Sequence, residues 1–90
     1  MMFTYREYAV EYYSASGEKL AEVTFPALDE NTVEINHTFV DDSLRGQGVA
    51  GQLMEAAAKQ LRAKKKTAKL TCSYAQKWFA SHPEYQDVIR

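Results

Sequence analysis

Apolar and polar positions alternate along three stretches in the first forty residues. From about Glu7 to Ser14 the run EYAVEYYS is rich in Tyr and Val. In LAEVTF, Ala21, Val23 and Phe25 alternate with polar neighbours, and in TVEINHTFV, Val33, Ile35, His37 and Phe39 share one face. A period of two marks a half-buried strand, because successive side chains leave a pleated backbone on opposite sides. SASGEK joins the first two stretches, and Pro26 with Asp29-Glu30-Asn31 joins the next pair. Turn residues so closely spaced predict a three-stranded antiparallel meander.

From Gly46 the period becomes helical. Val49, Leu53, Ala56, Ala57 and Leu61 form one apolar stripe while Gln52, Glu55, Lys59 and Arg62 fall elsewhere, which predicts an amphipathic helix. Its end, Lys64-Lys65-Lys66, supplies cations that complement the negative end of the helix dipole. AKLTCSY then predicts a strand with Ala68, Leu70, Cys72 and Tyr74 on one face. A helix linking it to the third strand makes those two strands parallel neighbours in a right-handed β-α-β unit. AQKWFASHPEYQDVIR predicts a short helix through about Ala80, stopped before His82-Pro83, and a tail held by Tyr85, Val88 and Ile89. The expected class is α+β, a meander followed by a β-α-β unit and a short C-terminal helix.

Ninety residues are expected to form one domain, 1–90, with a thin core that buries about 60 to 65% of the unfolded surface. At 46% hydrophobic and 26% charged residues, the composition is that of a folded soluble protein rather than a disordered one. Cys72 is the one cysteine and forms no internal disulfide, and MMFTYREYAV has no basic segment leading into an apolar one, so a cytoplasmic setting is expected. No apolar run approaches the roughly 20 residues of a membrane span. Charge is lopsided: residues 1–42 hold nine acidic and two basic side chains, net −7, and residues 43–90 hold three and nine, net +6. The basic half contains the glycine-rich turn, which favours an anionic ligand there, although a solvated basic helix face has the same composition.

That turn is Arg45-Gly46-Gln47-Gly48-Val49-Ala50. A helix start presents about four N–H groups without internal partners and a partial positive charge, so it suits an anion. Gly46 and Gly48 admit a phosphate close to the backbone and Arg45 adds a cation. A tight turn capped by Ser43 accounts for one glycine; Gly48 is expected where the helix is already running, at about 1 kcal/mol relative to Ala. The letters also satisfy G-x-G-x-x-G. The dinucleotide fingerprint is nonetheless excluded, because Asp41 to Arg45 separate the strand from the first glycine and the next strand, KLTCSY, lacks the required acid.

Arg45 to Ala50 matches [QR]-x-x-G-x-[GA], and with HTFV before the turn, a cysteine on the following strand and a His-Pro-Glu-Tyr tail, the chain resembles the GCN5-related N-acetyltransferases, in particular their small stand-alone, YjdJ-like members. The resemblance implies acetyl-CoA as cosubstrate, its pyrophosphate held by the backbone of Arg45, Gly46, Gln47, Gly48, Val49 and Ala50. It implies a pantetheine arm along Phe39 and Val40, in the gap where two parallel strands splay apart, with an N–H near Val40 polarising the thioester carbonyl. By the same resemblance Cys72 and His37 are the catalytic candidates; both also suit apolar strand faces, where cysteine behaves as a small hydrophobe. The tyrosine acid of larger relatives has no counterpart in register, Trp78 and Phe79 standing there, with Tyr74 and Tyr85 nearby.

SASGEK and FPALDENT join strands directly, where larger relatives insert helices that wall off the acceptor. The acceptor groove is therefore expected to be open, to a small amine or to a protein. Two functions fit: an acetyl-CoA-dependent N-acetyltransferase, and a coenzyme A-binding module without efficient turnover. Cys72, His37 and His82 lack metal-ligand spacing, and Trp78-Phe79 lacks the basic-aromatic interleaving of a nucleic-acid surface.

Overall fold

The computed structural model describes residues 1–90. A two-residue strand, β1 (Thr4–Tyr5), precedes the expected hairpin of β2 (Ala9–Tyr13) and β3 (Lys19–Thr24). Gly17 turns that hairpin at φ +88°, a left-handed conformation that glycine adopts without a Cβ penalty. β4 (Thr32–Ile35) and β5 (His37–Val40) follow, then a 3₁₀ turn (Asp42–Leu44), α1 (Val49–Ala63), β6 (Thr67–Leu70), α2 (Ser73–Ala80) and a 3₁₀ segment (Pro83–Val88). β1, β2, β3 and β5 form an antiparallel sheet in that order, and β4 pairs with β6 in parallel. The meander, the β-α-β crossover and the C-terminal helix are all present.

The third predicted strand is not continuous. Thr24 faces His37, whereas Ala27 faces Val33, so three steps on one chain match four on the other. The extra residue is a β-bulge at Asn36, whose N–H reaches back to the Thr24 carbonyl at 3.3 Å. With a side-chain period of two, one added residue exchanges the faces of everything after it. Val33 and Ile35 are buried as expected, but His37 and Phe39 point to the open face, and Thr38 and Val40 turn inward. The shared face expected for Val33, Ile35, His37 and Phe39 is thus corrected.

Two further boundaries differ. The helix starts at Val49 with Gly48 as its N-cap, so Gly48 precedes the helix rather than interrupting it. β6 ends at Leu70, Cys72 caps α2, and Tyr74 lies in that helix rather than on the strand. The alternation of Ala68, Leu70, Cys72 and Tyr74 concealed a helix whose buried positions, Ala75, Trp78 and Phe79, are spaced by three and four.

The core lies between the sheets and α1. Val10, Ala21, Val23 and Ile35 are fully buried, as are Leu53, Ala57 and Leu61 on the predicted stripe or within 1% of it. Tyr85 and Val88 close the far side, and Ile89 pairs with Ala68 along the second edge of β6. Arg62 clamps this tail to α1 with a bidentate bond to Asp87 (2.8 and 2.7 Å) and another to the Glu84 carbonyl. No helix is long and apolar enough to cross a membrane.

The exchanged faces are testable by unfolding in urea. Ile35→Ala is expected to lower stability by about 2–5 kcal/mol through lost burial and a cavity. Phe39→Ala should change stability by only about 0.5 kcal/mol, as expected of a surface position; a loss as large as that of Ile35→Ala would place Phe39 in the core and remove the bulge.

Candidate functional site

The carbonyl of Ile35 accepts hydrogen bonds from the N–H groups of both Thr71 and Cys72, each at 3.1 Å. That double contact is the last rung of the parallel pair. Beyond it the chain after β6 turns into α2, while β5 keeps β3 on one side and has no strand on the other. The two chains therefore part, leaving the predicted splay.

Which backbone groups face that gap follows from register. Asp41 donates to the Leu20 carbonyl at 2.7 Å, and Val40 stands opposite Ala21. In an antiparallel ladder hydrogen-bonded and non-hydrogen-bonded pairs alternate, so Val40 belongs to a non-bonded pair. Its N–H points away from β3, into the gap.

At the gap's mouth lies a cavity of about 240 Å³ lined by Val40, Arg45, Gly46, Gly48, Gly51 and Tyr74 among others. Gly46 and Gly48 have φ of +82° and +70°, so the turn itself requires glycine at both. A Cβ on either would meet nothing within 4 Å, which leaves the space before both open. The first helical bond runs from Gln52 to the Gly48 carbonyl, so the N–H groups of Val49, Ala50 and Gly51 have no partner within the helix. The Gly48 cap supplies no side-chain acceptor, and the first turn holds no acid. These are conditions for an anion at a helix start. A larger hollow, about 710 Å³ between Tyr5 to Glu7 and the far end of α1, lies away from these amides.

Arg45 pairs with Asp42 at 2.6 Å, with both side chains largely exposed. Such a pair is worth about 0–1 kcal/mol, so a phosphate can take over the guanidinium. Asp41 is occupied locally, accepting from the Ser43 N–H and hydroxyl, which hold its carboxyl below the usual range.

The two catalytic candidates, Cys72 and His37, do not come together. The sulfur of Cys72 meets the hydroxyl of Thr38 at 3.6 Å across the closed end of the gap. His37 lies on the open sheet face with Nε2 3.9 Å from Oε1 of Glu22, and Phe39 lies on that face too. The bulge is the cause, since it delivers Thr38 to Cys72 in place of His37. Burial raises the Cys72 thiol, but the N–H of Ala75, the Thr38 hydroxyl and the N–H of Tyr74 outweigh it and leave the thiol below its ordinary range.

Two further groups frame the gap. Glu34 sits on the open side at its closed end, held by the Thr71 hydroxyl at 2.7 Å; its place between buried Val33 and Ile35 was the available signal. Tyr74 reaches the cavity from the first turn of α2, and burial raises its hydroxyl above the ordinary phenol range.

Comparison with known proteins bears on this geometry. A profile of the GCN5-related N-acetyl-transferase family matches residues 7–88. Protein NATD1 of Xenopus tropicalis is 35% identical over 70 residues, 78% of this chain and 64% of that protein; the chain thus spans less than two thirds of that relative. The solution structure of a GCN5-like N-acetyltransferase candidate from Staphylococcus aureus superposes with a TM-score of 0.80 at 30% identity, covering 99% of this chain and 87% of that one. A nourseothricin acetyltransferase shares the fold at a TM-score of 0.52 and 22% identity, over 64% of this chain and 35% of its own. The family profile over nearly the whole length and the splayed strands beside a glycine-rich helix start lead to one conclusion: the chain belongs to the GCN5-related N-acetyltransferase family.

Proposed function

We propose that the chain is an acetyl-CoA-dependent N-acetyltransferase in which residues 1–90 act as one domain. The observation that carries this reading is a set of unpaired amides at the start of α1 opening onto a gap that exposes the Val40 N–H. The coenzyme supplies an acetyl thioester, activated toward an amine. Gly46 to Ala50 hold the pyrophosphate with Arg45, and Val40 orients the thioester carbonyl by its N–H. Phe39, carried to the open face by the bulge, borders the acceptor's side rather than the coenzyme's.

Tyr74 is the acid of this reading. It stays protonated at neutral pH and lines the cavity, so it serves to return a proton to the departing sulfur. Glu34 and His37, on the open side of the sheet, are the groups placed to take the proton of an approaching amine. Cys72 lines the closed end of the gap with Thr38, where a lowered thiol makes it the chain's nucleophile for chemical modification. No helix crosses the open face, so the acceptor is an amine of unrestricted size, a small molecule or a protein side chain.

Turnover of labelled acetyl-CoA with a panel of amines is expected for the wild type, and tight coenzyme binding without transfer to any amine would reject the enzyme reading. Tyr74→Phe should lower kcat about 10²- to 10⁴-fold, the usual worth of general acid catalysis, with little change in coenzyme affinity. Arg45→Ala should weaken coenzyme binding about tenfold, as loss of a charge-assisted hydrogen bond requires, and calorimetry reads this directly. Alkylation of Cys72 by iodoacetamide should rise with pH earlier than for a free cysteine. Since the Thr38 hydroxyl favours the thiolate, Thr38→Val should move that profile to higher pH; an unmoved profile would leave the helix amides as the sole cause.

A further inference from the structure

Gly51 is the one glycine of the helix entry that no turn requires. It lies inside α1 with ordinary helical φ, where glycine weakens a helix relative to alanine. The side on which a Cβ would stand is already filled. Nε1 and Cδ1 of Trp78 lie 3.3 and 3.8 Å from that position, and the Tyr74 hydroxyl lies 3.7 Å from it. The missing side chain therefore makes room for α2 rather than for a ligand.

Tyr74 and Trp78 are four residues apart on α2, so they share one face and meet α1 together. Trp78 has no room to yield. Its ring is stacked on His82 at 3.8 Å and 11°, set edge-on against Phe79 at 4.9 Å, and flanked by Tyr85 at 5.7 Å. A contact of 3.3 Å is tighter than ordinary van der Waals packing, so a methyl at position 51 displaces α2 as a body and carries Tyr74 with it. Little else holds Tyr74. Burial is the one influence on its hydroxyl, with no hydrogen bond or charge beside it. Packing against α1 thus sets where that hydroxyl stands, and Gly51 and Tyr74 both line the cavity at the helix start.

Resting on the reading of Tyr74 as the acid, we infer that Gly51 is a positioning residue: by lacking a Cβ it sets the approach of α2 to α1, and so the place of the Tyr74 hydroxyl beside the cavity. The glycines of the entry thus divide their roles. Gly46 and Gly48 form the turn before the free amides, and Gly51 serves the proton donor on the next helix. Gly51→Ala keeps the backbone N–H and adds its methyl on the α2 side, so it disturbs the donor and spares the coenzyme's contacts.

Steady-state kinetics of Gly51→Ala, with acetyl-CoA and an amine that the wild type acetylates, separate placement from binding. The variant's kcat is expected to fall about tenfold, since a misplacement of about 1 Å costs about a hundredfold, while the calorimetric Kd for coenzyme A is unchanged. Because the effect runs through Tyr74, Gly51→Ala should cause no further loss in a Tyr74→Phe background, as coupled residues are not additive. A folded Gly51→Ala protein with wild-type kcat overturns the inference. An undiminished further loss in the Tyr74→Phe background does so too, as does a loss of coenzyme A affinity of about tenfold, which would put the methyl among the coenzyme's contacts. Where Gly51→Ala does not fold, Gly51→Ala combined with Trp78→Phe carries the test. The smaller ring makes room for the methyl, so folded protein and kcat are expected to return, and no recovery overturns the inference equally. A wild type that acetylates no amine, or a Tyr74→Phe protein as active as the wild type, rejects instead the reading of Tyr74 on which the inference rests.

Discussion

Two amides, those of Thr71 and Cys72, converge on the carbonyl of Ile35, and past that point the parallel ladder has no further rung. One residue later Asn36 bulges the neighbouring strand. The two events act together: the first lets α2 peel away, and the second turns Thr38 and Val40 toward the space so created. An exposed backbone edge inside a fold is costly unless water or a ligand satisfies it. Here it is retained beside a helix start whose amides are equally unsatisfied, and the candidate site occupies the junction of both.

The electrostatics of that junction come from the backbone more than from side chains. Arg45 is already partnered by Asp42, and Asp41 is turned to Ser43. What remains directed at the cavity is the positive end of α1, uncapped by any side chain. The acidic and basic halves of the chain are therefore a poor guide to charge at the site, because the nearest acids are held in local turns. Fixed peptide dipoles also need no reorganisation when an anion arrives.

A chain this short gives its elements several duties. α1 supplies the main apolar stripe of the core and also an uncapped start at the cavity; α2 supplies Phe79 to the core and Tyr74 to the cavity. The stack of His82, Trp78 and Tyr85, with Arg62 placed 4.8 Å over the Tyr85 ring, binds the C-terminal segment to both helices. The tail is thus held by side chains of both helices.

Periodicity in the sequence determined the strands, the stripe of α1 and the order of the elements, since alternation and helical spacing are local properties of a chain that must bury one side of each segment. Gly46 and Gly48 likewise marked the turn, because a left-handed backbone favours that residue. Only the tertiary structure decided that His37 and Phe39 face outward, that Thr38 rather than His37 meets Cys72, and that Tyr74 stands at the cavity. A bulge at Asn36 is a matter of register between two strands, and TVEINHTFV reads the same with or without it. Likewise Ala68 to Tyr74 alternates as a strand would, and it is the capture of two amides by Ile35 that ends β6 early. Side-chain alternation says which residues can share a face; the hydrogen bonds of a partner strand determine where that face changes.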